Sequence, residues 1–278
     1  MNVVLLSNGG PLADAIRAQF ASRGREILDS VHVAEASDGA LRDALVIDAR
    51  WISPLQRGGI VSPPAFDETL LHACARQSAL YLLITDGGVF DGANLDDEGA
   101  AENTIPAASS ERGRQLIALE EQVLASNAQT LILRTGALVA ASGDHFLADC
   151  VRWFRQSDAV SLRNTRRACP TPVTDLARVV SGMVDQLSCG ALCRGVYHYN
   201  SSGSSTAFEF AEVSLAYASQ FVAVASEISA DDDQGEDWQP WIAPLSCDRI
   251  LRHFGIKQLP WRAYLPKLIK SLCEEEVV

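Results

Sequence analysis

Short, nearly continuous apolar runs recur along the first half of the chain, at Val3 to Leu6, Ala44 to Ile47, Leu80 to Ile84 and Thr130 to Leu133. A strand with one wet face alternates apolar and polar residues, whereas one covered on both faces does not, so these runs predict buried strands of a parallel sheet. Segments with helical spacing separate and follow them: Leu12 to Ala21 with Ile16 and Phe20 on one face, Phe66 to Arg76, Arg112 to Ser126, and Val173 to Leu187. In the last of these, Leu176, Val179, Val180, Met183 and Leu187 form an apolar stripe. The alternation of strand and helix predicts an α/β fold with a doubly wound parallel sheet. Beyond about Ser142 the elements shorten, and Pro240, Pro244 and Pro260 interrupt the chain. Four of the five tryptophans also lie there, which suggests a smaller C-terminal lobe packed on the sheet. The acidic run Asp231, Asp232, Asp233, Glu236 and Asp237 reads as a solvated loop.

A chain of 278 residues can bury one large core or two smaller ones. Its 23 Lys and Arg against 35 Asp and Glu leave a formal charge of -12, which repels a phosphate backbone and argues against general nucleic-acid binding. The opening MNVVLLSNGG has no basic stretch and its apolar run stops at Ser7, and no run of apolar residues is long enough for a membrane span. Neither a membrane nor secretion is expected. Seven scattered cysteines, odd in number and without a CxxC pair, fit reduced thiols in a cytoplasm. Only Cys189 and Cys193 are near each other, and every histidine but His198 is remote from them, so no metal site is expected.

The first strand runs into Ser7-Asn8-Gly9-Gly10-Pro11-Leu12-Ala13 and then a helix. Glycine permits the sharp turn and the close approach of a pyrophosphate, and a helix N-terminus offers free N–H donors with a positive dipole end. Pro11 suits the first helical position because its missing N–H costs nothing there. Asp29, 19 residues after Gly10, stands where a carboxylate would accept the ribose hydroxyls. A GxxGxxG pattern would read Ser7, Gly10, Ala13, with only the middle glycine in place. A tight turn that holds no ligand, and an Asp29 that is merely solvated, remain the alternatives.

Further segments follow in order: VIDA at Val46 to Ala49, TDGGVF at Thr85 to Phe90, LRTGALV at Leu133 to Val139, CPTPVTDLA at Cys169 to Ala177 and GVYHYNSSGSST at Gly195 to Thr206. With the opening NVVLLSNGG they make the chain resemble the extended short-chain dehydrogenase/reductase superfamily, and within it the dTDP-4-dehydrorhamnose reductase-like group. The resemblance implies a Rossmann domain over 1–145 that binds NAD, with NADP as the alternative, and a substrate lobe over 146–278. The two are interleaved, with 172–200 returning to the first. It implies cofactor contacts from Ser7, Asn8, Gly9, Gly10, Leu12, Asp29, Asp48, Ala49 and Arg50. A nucleotide-linked sugar would meet Asp86, Arg134, Arg166, Arg167 and Thr171, the adjacent arginines suiting a diphosphate. A solvated loop is the alternative for that pair. Asp86 with Asp91 is a carboxylate pair only in sequence.

In that family a Tyr and a Lys four residues later carry the proton chemistry. Here no tyrosine has a lysine four residues on, and all three lysines, Lys257, Lys267 and Lys270, lie in the last 22 residues. Counting from Pro106 puts Ser110 and Arg114 at the two positions; counting back from Glu120 puts Arg112 and Leu116 there. Serine is a far poorer proton donor than an activated phenol, and arginine keeps its proton at any relevant pH. Thr85 stands where the family has its helper hydroxyl, and His145, beside Asp144, is a candidate substitute acid. Thr85 reads equally as a strand-end hydroxyl bonded to backbone, and His145 as a surface or capping residue. The leading expectation is therefore an NAD(P)-binding protein on a sugar-nucleotide reductase or epimerase scaffold with degenerate or altered catalytic residues. An active oxidoreductase or epimerase with a non-standard acid is one alternative, and a regulatory subunit binding a protein partner, or a homo-oligomer, is another.

Overall fold

The computed structural model describes residues 1–29, 41–52, 67–95, 99–156, 159–224 and 226–275. The chain begins β1 (Asn2–Leu6), α1 (Pro11–Ala21), β2 (Ile27–Asp29), β3 (Ala44–Asp48), α2 (Glu68–Gln77), β4 (Leu80–Asp86), α3 (Glu111–Ala125) and β5 (Gln129–Thr135). It continues β6 (Ala137–Val139), α4 (Phe146–Gln156), β7 (Ala159–Leu162), β8 (Pro170–Pro172), α5 (Val173–Ser188) and β9 (Gly195–Tyr199). The last elements are α6 (Ala207–Ala218), β10 (Glu227–Ala230), α7 (Asp248–Phe254) and α8 (Leu265–Glu275). Phe66, expected to open the second helix, lies outside the described residues. That helix begins instead where the Asp67 carboxylate accepts the Leu70 N–H at 2.9 Å.

Six strands form one parallel sheet in the order β2-β1-β3-β4-β5-β9, the doubly wound arrangement that the apolar runs predict. All five residues of β3 are buried, which is why the run carries no polar alternation. On one face α1 and α5 pack through Ile16, Phe20, Leu176, Val180 and Met183 against Leu5, Ile47 and Leu82. On the other, Leu70, Leu71 and Cys74 of α2 and Leu119 and Val123 of α3 cover Val4, Val46 and Leu83. Each such side chain stabilises the fold by about 1.5 to 3 kcal/mol.

A second apolar cluster joins α4, α6 and α8 through Phe146, Phe154, Phe210, Trp238, Trp261 and Ile269. It is tied to the sheet by Asp175 of α5, whose carboxylate accepts from Tyr199 at 2.6 Å, Ser201 at 2.7 Å and Tyr264 at 3.1 Å. A second tie lies over the carboxyl end of β4. Ala100 N–H donates to Pro244 O and Ser246 N–H to Ala100 O, both at 2.9 Å. Gly87 permits this approach, because a Cβ there would lie 2.7 Å from Ala243 O.

The acidic run is largely the expected solvated loop, with Asp232, Asp233 and Glu236 exposed, and it is folded into a defined turn. Asp231 accepts the N–H groups of Asp233 and Gln234, each at 3.0 Å. Arg163 donates to the carbonyls of Gly235 (3.1 Å) and Asp233 (2.9 Å), and Asn164 N–H donates to Asp232. The Asp231 and Asp232 carboxylates serve as acceptors that fold a turn onto the end of β7, and Asp237 is the buried member of the run. Among the described residues no helix is long and apolar enough to cross a membrane, and no three metal-capable side chains gather.

Candidate functional site

The sheet order reverses between β1 and β3, which opens a crevice at their carboxyl ends, the place where such sheets hold ligands. The Gly9-Gly10 turn lies there. Gly9 and Gly10 have φ of 81° and 86°, a backbone that side chains other than glycine rarely adopt. A Cβ on Gly9 would meet nothing within 4 Å, so the turn faces open space. No side chain caps α1, and Pro11 has no N–H, which leaves the Leu12 and Ala13 donors at the helix end. Asn8 donates to Arg50 O at 3.0 Å and Ala49 N–H to Leu6 O at 2.8 Å, bracing the turn against β3. Ser7 Oγ accepts the Gly9 N–H at 3.4 Å.

Asp48 is placed differently from the expectation of a cofactor contact. It is fully buried and accepts from Arg50 N and Nε, both at 3.0 Å, from Arg50 Nη2 at 2.7 Å and from Tyr81 at 2.6 Å. Burial and the Asp48 charge push the Tyr81 hydroxyl well above its ordinary pKa, so it stays a donor. Asp48 is thus a brace that aims Arg50. Asp29 closes β2, and what its side chain meets lies outside the described part.

A second hollow, partly open to solvent, lies between the ends of β4 and β5 and the C-terminal lobe. Its walls include Asp86, Arg112, His145, Phe146 and Trp238. Asp86 Oδ1 accepts from Gly88 N at 2.9 Å and from Arg112 Nη1 at 3.0 Å, and Arg112 Nη2 donates to Oδ2. Burial opposes the charge on Arg112, but Asp86 beside it outweighs burial and raises its pKa. Arg112 remains a cation.

Several expected site residues are turned away from this hollow. Thr85 is fully buried and donates to Glu120 Oε1 at 2.6 Å. Arg134, also expected to meet substrate, donates from Nε and Nη2 to Glu120 Oε2 at 3.0 and 2.6 Å, and lies over the Phe90 ring. Both belong to an internal network. It continues to His198, whose Nε2 is 3.3 Å from Arg134 Nη1 and whose Nδ1 is 3.1 Å from Ala100 O. Burial and Arg134 push the His198 pKa down to about 3, so the ring is neutral and shares its proton with that carbonyl.

Ser110 caps α3, its hydroxyl accepting the Gly113 N–H at 2.9 Å, and Arg114 is exposed and pairs with Glu111 at 2.9 Å. Neither lines the hollow. His145 does line it, but as the residue that accepts the Ala148 N–H at 3.2 Å and so starts α4. Burial pushes its pKa down to about 4, and a neutral imidazole is a poor proton donor at neutral pH. This placement fits the capping alternative for His145. Thr171 is fully buried between Cys169 O and Ser201 N. Arg167 is held by Glu209 (2.7 Å) and Ser204 (3.0 Å), whereas Arg166 is exposed and stacked 3.9 Å from the Trp241 ring centre.

Sequence reasoning assigned no role to Arg112, Phe146 or Trp238. The one signal was the count back from Glu120, which named Arg112. Arg112 and Leu116 lie two turns and one turn before Glu120 on α3. Leu116 is buried in an apolar cluster with Val89, Phe90, Ala100, Ala243 and Leu245.

A doubly wound sheet with a glycine turn at its switch point and a hollow under a helical lobe defines the scaffold of the extended short-chain dehydrogenases and sugar-nucleotide epimerases. The family model "RmlD substrate binding domain" matches residues 65–274, and the chain belongs to that family. It is 25% identical over 280 residues to a dTDP-4-dehydrorhamnose reductase of Sinorhizobium fredii, covering 99% of this chain and 91% of that one. Its fold is similar to the dTDP-4-dehydrorhamnose reductase of Bacillus anthracis solved with NADP, with a TM-score of 0.72, 19% identity and coverage of 96% and 99% of the two chains. It is also similar to MoeE5 in complex with UDP-glucose and NAD, with a TM-score of 0.73, 13% identity and the whole of both chains covered.

Proposed function

We propose that this protein binds a dinucleotide at the Gly9-Gly10 turn and a nucleotide-linked sugar in the hollow above β4, without the proton donor that reduction requires. The observation that carries this reading is the pair Arg112 and Leu116. Glu120 faces inward, and counting back from it sets Arg112 and Leu116 where the resembling family has its tyrosine and lysine. Arg112 reaches the hollow, as an acid at that position would, but it is a permanent cation and has no proton to give. Leu116, buried among apolar side chains, can neither hold a cofactor ribose nor lower the pKa of a neighbour.

The relatives' ligands support the two binding sites: NADP in the Bacillus anthracis reductase, and NAD with UDP-glucose in MoeE5. NAD(H) is favoured over NADP(H), because Asp29 at the end of β2 would repel a 2′-phosphate. Arg166, exposed beside the lobe, is the candidate diphosphate contact. The free cysteines, six of seven buried, suit a cytoplasmic protein.

Thermal shift tests the reading. NAD(H) should stabilise the protein and Gly10→Arg should remove that effect, since the new side chain would fill the turn and strain a φ of 86°. Turnover of dTDP-4-keto sugars with NADH or NADPH should stay at background. Robust turnover, or no shift with any dinucleotide at millimolar concentration, would overturn it.

A further inference from the structure

The Asp86–Arg112 pair forms where two glycines leave room for it, at the first turn of α3. A Cβ on Gly88 would lie 2.7 Å from Arg112 Nη1 and 2.8 Å from Asp86 Oδ1, and one on Gly113 would lie 2.6 Å from Gly88 O. Glycine at both positions lets α3 approach β4 closely enough to lay the guanidinium on the carboxylate. A carboxylate offers about four acceptor sites. Gly88 N and Arg112 Nη1 fill those on Oδ1, and Arg112 Nη2 fills one on Oδ2. Among the described residues one acceptor site on Oδ2 therefore remains, beside guanidinium N–H groups not spent on Asp86. The Asp86 side chain is 7% exposed and that of Arg112 32%, and both line the hollow. A ligand entering there meets an acceptor and a cationic donor side by side, with the Trp238 and Phe146 rings in the same walls.

Resting on the reading of this hollow as a sugar site, we infer that the Asp86–Arg112 pair selects the alcohol form of the ring carbon facing it and rejects the ketone. A hydroxyl donates to Asp86 while accepting from Arg112. A ketone oxygen can only accept, so it would bond Arg112 but turn its lone pairs toward the carboxylate and leave the Oδ2 site desolvated and empty. Unmade bonds to buried charged groups are the costly ones. A phenol acid in the same place would do the reverse and donate to the ketone. The substrate class is thus a nucleoside diphosphate sugar with a free ring hydroxyl, bound without turnover.

Calorimetry on the full chain with UDP-glucose, UDP-4-ketoglucose and UDP tests this. The alcohol should bind about tenfold or more tighter than the ketone, the effect of one charge-assisted hydrogen bond. Asp86→Asn, whose amide can donate to a ketone, should erase or invert that ratio. Equal or tighter binding of the ketone by the wild type overturns the inference, as does an unchanged ratio in Asp86→Asn or sugars that bind no better than UDP. The wild-type ratio decides alone if the variant fails to fold. Failure of UDP and both sugars to bind would instead sink the sugar-nucleotide reading on which the inference rests.

Discussion

Replacing Arg112 with Tyr and Leu116 with Lys together should create reductase turnover that the wild type lacks, and the structure sets what the change costs. Arg112→Tyr removes two bonds to Asp86, one of 3.0 Å and one shorter. The pair is partly exposed and a phenol can rebond the carboxylate, so the loss is about 1 to 2 kcal/mol. Leu116→Lys removes a leucine that is 3% exposed among Phe90, Ala100 and Leu245 and buries an ammonium stem, about 3 to 5 kcal/mol. The sum approaches the roughly 5 to 15 kcal/mol of a typical domain, so the assay belongs at low temperature with saturating NADH. The return is general acid help of about 10² to 10⁴-fold, read as NADH consumption with a dTDP-4-keto sugar. Ser110→Tyr with Arg114→Lys is the control. It loses the α3 cap, about 1 kcal/mol, and places both groups outside the hollow, so no rate should appear. Turnover in the control but not in the Arg112/Leu116 pair would refute the assignment of the register.

Three further outcomes follow from the geometry. Glu120→Leu should cost about 3 to 5 kcal/mol in urea unfolding because it strands the buried Arg134 guanidinium, and adding Arg134→Met should recover most of it; a double variant as unstable as the single would refute the account. His145 and His198, with pKa values of about 4 and about 3 against an ordinary 6.5, are neutral when folded and take up protons on unfolding. Their contribution is therefore complete above the ordinary value and is lost as pH falls toward the folded values, at up to about 1.4 kcal/mol per pH unit for each histidine. Urea midpoints should drop between about pH 7 and pH 5, and less so in His145→Asn; a flat profile would count against buried neutral rings. Arg166→Ala should weaken UDP-sugar binding by about 1.5 to 3 kcal/mol by calorimetry if Arg166 meets the diphosphate, and unchanged affinity would leave it as a cap on Trp241.

The sheet was legible in the sequence because a strand buried on both faces must be apolar at every position, so Ala44 to Ile47 and Leu80 to Ile84 declare themselves without long-range information. The turn at Gly9, Gly10 and Pro11 was equally local, since positive φ and a helix start are properties of neighbouring residues. The absence of any tyrosine followed four residues on by a lysine is likewise a fact of the sequence alone. Which residue then fills the acid's place was not. Two registers fit the chain, and only the burial of Glu120 beside Thr85 and Arg134, 35 residues before it and 14 after, sets the face that α3 turns to the hollow. The same holds for polarity. Thr85, Arg134 and His145 are ordinary site chemistry in a sequence, yet each has its bonding or its proton decided by partners and burial that exist only after the chain has folded. Local rules determine strands and turns because their causes lie within a few residues; the charge and accessibility of a side chain depend on what the fold brings around it.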